Sequence, residues 1–323
     1  MARKLVYEDF KENLPDQKTQ DLHRAQMHAR DMEEFNIKLQ NFQRVQKEHA
    51  PFQNALLEHY KKEKIFDKIQ LPERARKLSL GERKSLLKKL PVTGLKERIF
   101  QTGSLHVVDT SPFVGWVDHS ERPTPANDAE SYGDFSDGTY IYMDVSAGED
   151  YVPGQLGNLP QRGGMTASFG YAGEYFRPAK FCVTTEAYLT VSASPYVTLY
   201  PNWAALPTIW GGAEVKLSVG VDLVANVYND SELIEYYGTG NSFFTLDATS
   251  GMDNSYRPIA RAVPITLSFP VNADFYYGVF VRFSMFCSVN EQKMIDGIPF
   301  NLSYVNGLLE AFVNELQFDA VFN

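Results

Sequence analysis

From Val215 to Val227 an apolar residue occupies every odd position: Val215, Leu217, Val219, Val221, Leu223, Ala225 and Val227. The even positions read Lys, Ser, Gly, Asp, Val, Asn. Side chains alternate across a strand, so this is one strand with an apolar face and a mostly polar face. Thirteen residues extend about 43 Å, more than twice an ordinary strand. A strand of that length needs a wide apolar surface opposite it, which points to two sheets packed face to face over a thick core. Val215, Leu217, Val219, Val221, Leu223 and Val227 are expected to face that core, and Gly220 to mark a bulge.

Further strand-like runs follow the same logic. They include SLHVVD, FVGWVDH, TYIYMDVS, MTASFGYA, KFCVTTEAYLTVSAS, YVTLYP, SFFTLDA, AVPITLSF, DFYYGVFVRFSMFCSV and a C-terminal pair around Asn306-Gly307. Asn-Gly between two such runs reads as a hairpin turn. About twelve candidate strands, punctuated by Gly, Pro, Asn and Ser, predict a jelly-roll-like β-sandwich over 101–323.

The first hundred residues differ in kind. They hold 22 of the chain's 31 Lys and Arg but 15 of its 40 Asp and Glu, a net of +7; the remaining 9 and 25 leave 101–323 at −16. All six histidines lie at or before His119. From Leu22 apolar residues recur at Ala25, Ala29, Met32, Phe35, Leu39, Phe42 and Val45, which is helical spacing. Pro51 is expected to interrupt, with a second helix carrying Phe52, Leu56, Tyr60 and Ile65. Ser79-Leu80-Gly81-Glu82 fits a capping box for a third, ending at Pro91, with a short fourth over GLKERIFQ. The class is thus α+β by composition and mainly β: a basic helical arm or hairpin over 1–100, then an acidic sandwich body over 101–323.

Chemistry is sparse. A β body without a histidine after His119 cannot supply a Ser–His pair of its own or a His-based metal site. GQLGNLPQRGG lacks the Lys-Ser/Thr ending of a phosphate loop. LPVTG at 90–94 resembles a sortase sorting signal in letters only, since it lies mid-chain. No catalytic residues and no cofactor are expected. The acidic stretch 125–161 reads as a connecting loop, with Asp134, Asp137, Glu149 and Asp150 as weak calcium candidates, its spacing unlike the helix–loop–helix calcium pattern. Tyr196, Tyr200, Trp203 and Trp210, set among prolines, are candidate ligand-facing aromatics or else core and rim packing. Cys182 and Cys287 sit in apolar runs, as buried free thiols or one bridge between neighbouring strands.

These observations favour a structural role. The expected partners are copies of the chain and other assembly subunits, with Met32, Phe35, Leu39, Phe42, Phe52 and Leu56 as the arm's interface stripe. The basic segment 61–98 suits a solvated face, an acidic partner or nonspecific nucleic acid. No apolar run of about 18 residues is present, so no membrane helix is expected, and the N-terminus lacks the apolar run of a secretory signal. A virion or large extracellular assembly, made in the cytosol, is the expected location, with a capsid or appendage component as the leading reading. Two alternatives share the composition: a membrane-active toxin using Val215–Val227 as an inserted strand, and a fibre-tip module binding a glycan or receptor.

Overall fold

The computed structural model describes residues 16–62, 104–109, 113–120, 128–135, 139–148, 164–177, 187–205, 214–229, 232–248, 252–253, 257–272, 274–290 and 303–321. One helix, α1 (Gln17–Lys62), precedes every described strand. It starts where Asp16 accepts a hydrogen bond from the Thr19 amide at 2.8 Å as an N-cap; the Thr19 hydroxyl and then its amide hold the Asp16 carboxyl below its usual range. It runs on unbroken through Pro51, so the expected restart is absent. The expected third and fourth helices, LPVTG and the basic segment beyond Lys62 lie outside the described residues.

The long sheet has the order β2 (Val114–His119), β5 (Gly164–Phe176), β14 (Tyr276–Asn290), β8 (Glu214–Asn229), β10 (Ser242–Ala248), with β9 (Glu232–Gly238) also paired to β8. The short sheet runs β3 (Asp128–Asp134), β4 (Thr139–Gly148), β15 (Tyr304–Val313), β7 (Tyr196–Ala205), β11 (Met252–Asp253), with β12 (Ile259–Ala262) also on β7. Every pairing is antiparallel. In chain order the central strands pair from the outside inward: β4 with β15, β5 with β14, β7 with β12, β8 with β9 and β10. That wrapping is the double-sheet jelly roll.

A third, end sheet of order β1 (Ser104–Asp109), β16 (Leu316–Val321), β6 (Ala187–Ala193), β13 (Ile265–Val271) accounts for the strand lengths. It continues the short sheet past a bend. β6 passes into β7 through Ser194-Pro195, β12 into β13 through Val263-Pro264, and β15 into β16 through Asn314-Glu315. Both prolines lack an amide donor and end regular pairing where the strands turn. Strands β8 and β14, of 16 and 15 residues, then face a short-sheet strand and its end-sheet continuation together. At one end a Cβ on Gly307 would lie 3.0 Å from Leu217. At the other, Tyr277 stacks on Phe176 at 5.4 Å and meets Phe269 of the end sheet at 5.8 Å.

Val215, Leu217, Val219, Val221, Leu223 and Val227 all belong to the main core, as the alternation requires. The bulge anticipated at Gly220 falls on its partner, between Ser242 and Phe244. Two expectations are corrected. Asn306-Gly307 is not a turn: both residues lie inside β15, where Gly307 keeps room for Met285 and Leu217. The acidic stretch 125–161 is not all connection: besides the expected TYIYMDVS strand, β4, whose Ile141, Met143 and Val145 are core, it contains the unexpected strand β3. Of the candidate ligand-facing aromatics, Tyr200 and Trp203 sit within β7 and are buried, which is the packing alternative; Tyr196 is 39% exposed and Trp210 lies outside the described residues. Cys287 is a buried thiol in no disulfide, 2.9 Å from the Thr166 hydroxyl; Cys182 is outside the described residues.

Candidate functional site

The second half of β8 breaks its own pattern. Val224, Asn226 and Tyr228 fall on the polar side and are fully buried. Strand β5 does the same with Phe169, Tyr171 and Tyr175. Strands buried on both faces need a cover on each. The cover is α1, lying on the outer face of the long sheet.

The helix meets the sheet along a row of four-residue steps: His23, Met27, Asp31 and Phe35, all buried, then Leu39, partly buried. Residues four apart share a helix face. The imidazole of His23 stacks on Tyr228. Asn226 donates to the Met27 sulfur at 3.2 Å, and its Oδ1 accepts from Arg30 at 3.1 Å. Gln26 Oε1 accepts from the Leu233 amide at 3.2 Å, which ties the helix to the edge strand β9. Arg24 lies over the Trp116 ring, Arg30 over Tyr236 and Lys38 over Phe286; a cation on an aromatic face is attracted by the ring quadrupole. His28 Nδ1 is 3.0 Å from Asp118 at the rim.

A charge chain crosses the seam. Asp31 of the helix pairs with Arg282 of β14 at 3.2 Å, and Arg282 Nε is 3.8 Å from Asp222 of β8. Asp222 Oδ1 accepts from the Asn241 amide. Burial pushes both carboxyls up, while Arg282 pulls each back down. Removing one partner of such a buried pair would leave an uncompensated charge inside the seam.

The contact excludes water but does not satisfy every polar atom. The Trp116 indole N–H and the hydroxyls of Tyr171, Tyr175 and Tyr228 are buried without a hydrogen-bond partner among the described residues. Burial raises the Tyr175 and Tyr228 hydroxyl pKa above its ordinary value.

The helix stripe read from sequence matches this face only in part. Phe35 is buried, and Met32 and Leu39 are partly buried, on the chain's own sheet; Phe42 is half-buried, and the side chains of Phe52 and Leu56 lie outside the described residues. Ala25 and Ala29 point to solvent. The residues missed, His23 and Asp31, are polar, so hydropathy spacing skipped them. The available signal was the failed alternation of β8 and β5.

The outer face of the short sheet carries a smaller polar patch. Tyr140 donates to Glu310 at 2.5 Å, and burial raises both groups. Both amide atoms of Asn306 are buried without a hydrogen-bond partner among the described residues. Of the calcium candidates, Asp134 ends β3 and is exposed, and Asp137, Glu149 and Asp150 lie outside the described residues. Among the described residues no group of three or more His, Cys, Asp or Glu is placed to hold a metal ion. His119 Nδ1 lies 3.0 Å from the Ser131 hydroxyl in an exposed position. Among the described residues no carboxylate hydrogen-bonds the other imidazole nitrogen, the place of the orienting third group in a nucleophilic triad. No described helix is long and apolar enough to cross a membrane.

Fold and site together define a jelly-roll β-sandwich with a long helix strapped across one outer face. No protein-family model and no curated protein matches the chain. Among solved structures, infectious bursal virus derived T=1 particles match at 10% identity, over 72% of this chain and 40% of that one, with a TM-score of 0.16. The infectious bursal disease virus VP2 subviral particle matches at 12% identity, over 72% and 41%, with a TM-score of 0.15. The chain spans about two fifths of those chains' length. At such scores the backbones do not superpose as one fold, so the likeness carries no argument, and sheet topology alone defines the class.

Proposed function

We propose that this chain is a non-enzymatic structural protein that assembles in many copies, as a capsid or appendage component of a virus or phage particle, with α1 as the arm joining copies. The observation that carries this reading is the mismatch between the helix and the sheet beneath it. At 46 residues α1 is about 69 Å long. Its described contacts with the sheet run from His23 to Leu39, about 24 Å. Beyond Leu39, among the described side chains, Phe42 is half-buried and Gln40, Asn41, Gln43, Arg44, Lys47 and Lys62 are exposed. In proteins most helical stability comes from packing of one face, and a second copy would supply a face for the turns beyond Leu39. The double-sheet jelly roll is an architecture used by viral capsid and lectin domains, which supports the reading by analogy of fold. The arm's basic balance against the acidic body favours docking between copies.

Size-exclusion chromatography with light scattering tests the proposal on the full chain and on a chain lacking residues 1–99. The full chain is expected as a large oligomer and the truncated one as a folded monomer. A full chain that stays monomeric at every concentration overturns the reading.

A further inference from the structure

Helix α1 docks through groups that any copy of the chain offers to any other. Lys62 and Ser104 are separated by 41 residues, 63–103. Such a stretch can extend to at most about 135 Å, so chain length does not tie a helix to its own sheet. The contacts are specific in register: Asp31 to Arg282, Arg30 to Asn226 and Tyr236, His28 to Asp118. They also leave polar atoms unsatisfied. Trp116, Tyr171, Tyr175 and Tyr228 each bury a polar atom without a partner among the described residues, and each such atom regains a water partner when the helix lifts. Specific register at the cost of unpaired polar atoms suits a contact made and broken during assembly.

We infer that the outer face of the long sheet is an exchange site, which in the assembled state receives α1 from a second copy while the donor's own sheet receives one in turn. The inference rests on the assembly reading and names the surface through which copies join. Exchange of an identical element keeps every contact of the closed form, so it is a low-cost route to association. It also places the helix beyond Leu39 next to the neighbour that it holds.

The test uses full-length chains. One tagged copy carries His28→Cys and a differently tagged copy carries Asp118→Cys, a pair 3.0 Å apart at the solvent-reachable rim of the seam. The two are co-expressed and treated with a short bis-maleimide, with the unsubstituted chain as background. The expected product carries both tags at twice 36.6 kDa. A His28→Cys/Asp118→Cys double variant reports whether the seam exists at all. If it crosslinks within one chain while the co-expressed single variants, shown by light scattering to be oligomeric, give no two-tag product, exchange is wrong and assembly stands. If light scattering finds only monomers, the assembly reading fails and exchange fails with it. A double variant that does not crosslink removes the seam and the proposal together.

Discussion

The imidazole of His23 lies face to face with the phenol ring of Tyr228, centroids 3.6 Å apart and planes 9° from parallel. One helical turn further on, Met27 meets Asn226 of the same strand. The helix is held where these two contacts coincide, and the first prediction removes one of them.

His23→Ala keeps helix propensity and deletes the stack. Docking is expected to weaken by roughly 2 kcal/mol. Amide hydrogen exchange over 17–39 should then quicken about 30-fold, with β5 and β14 unchanged. Equal rates in the two proteins would mean the stack holds nothing.

Leu223 is fully buried in the main core on β8. Leu223→Ala should cost on the order of 2–5 kcal/mol in urea unfolding. Ser218, exposed on the opposite face of the same strand, provides the contrast: Ser218→Ala should stay within about 0.5 kcal/mol. Similar losses at both sites would refute the register.

Glu174 on β5 is 9% exposed, and burial pushes its carboxyl up to about 8 from 4.5. The folded chain therefore keeps this proton over a range in which the unfolded chain has lost it. The resulting stability is full below about pH 4.5 and is lost as pH rises through about 8, a few kcal/mol at most. Glu174→Gln retains the shape without the charge. Its melting temperature should change less between about pH 5 and pH 9 than that of the native chain, and should exceed it at pH 9. A native chain more stable at pH 9 than at pH 5, with the variant following it, would contradict the assignment.

Gly173 pairs with Phe280 in the β5–β14 ladder, and a Cβ there would run into the Val279 carbonyl oxygen and Phe280 Cα. Backbone cannot step aside as a side chain can. Gly173→Ala is expected to cost on the order of 3 kcal/mol. Gly240, whose Cβ would meet no heavy atom within 4 Å but whose φ is +64°, should tolerate Asn better than Val, because Asn accepts the left-handed region. Thermal melts of the three variants check both statements.

How far the sequence leads depends on what each residue reports. The odd positions of β8 declared the core because period-two alternation has one physical cause. Its even positions declared the helix too, through Val224 and Tyr228, but only once a cover on both faces was considered. His23 and Asp31 were illegible because a polar side chain on a helix carries no mark of what it will meet. Asn306-Gly307 misled since a short-range turn preference yields when the same glycine is needed opposite Met285 and Leu217. Pro51 misled because the helix continues through it. Strand β4 was legible as TYIYMDVS, with Ile141, Met143 and Val145 at alternate positions, whereas β3 was hidden, since DAESYGD carries acidic residues and no large aliphatic side chain to mark a core face.

The bend between the short sheet and the end sheet has a mechanical meaning. At Ser194-Pro195, Val263-Pro264 and Asn314-Glu315 three neighbouring strands fold along one crease, and the Val263 amide donates to the Pro195 carbonyl across it at 2.9 Å. A single creased strand would act as a hinge. Three creased side by side act as an angle bracket: rotating one flange requires all three to yield together. Strain applied to β1 or β16 therefore passes into β15 and β7 without flexing the joint, and the two flanges move as one stiff piece.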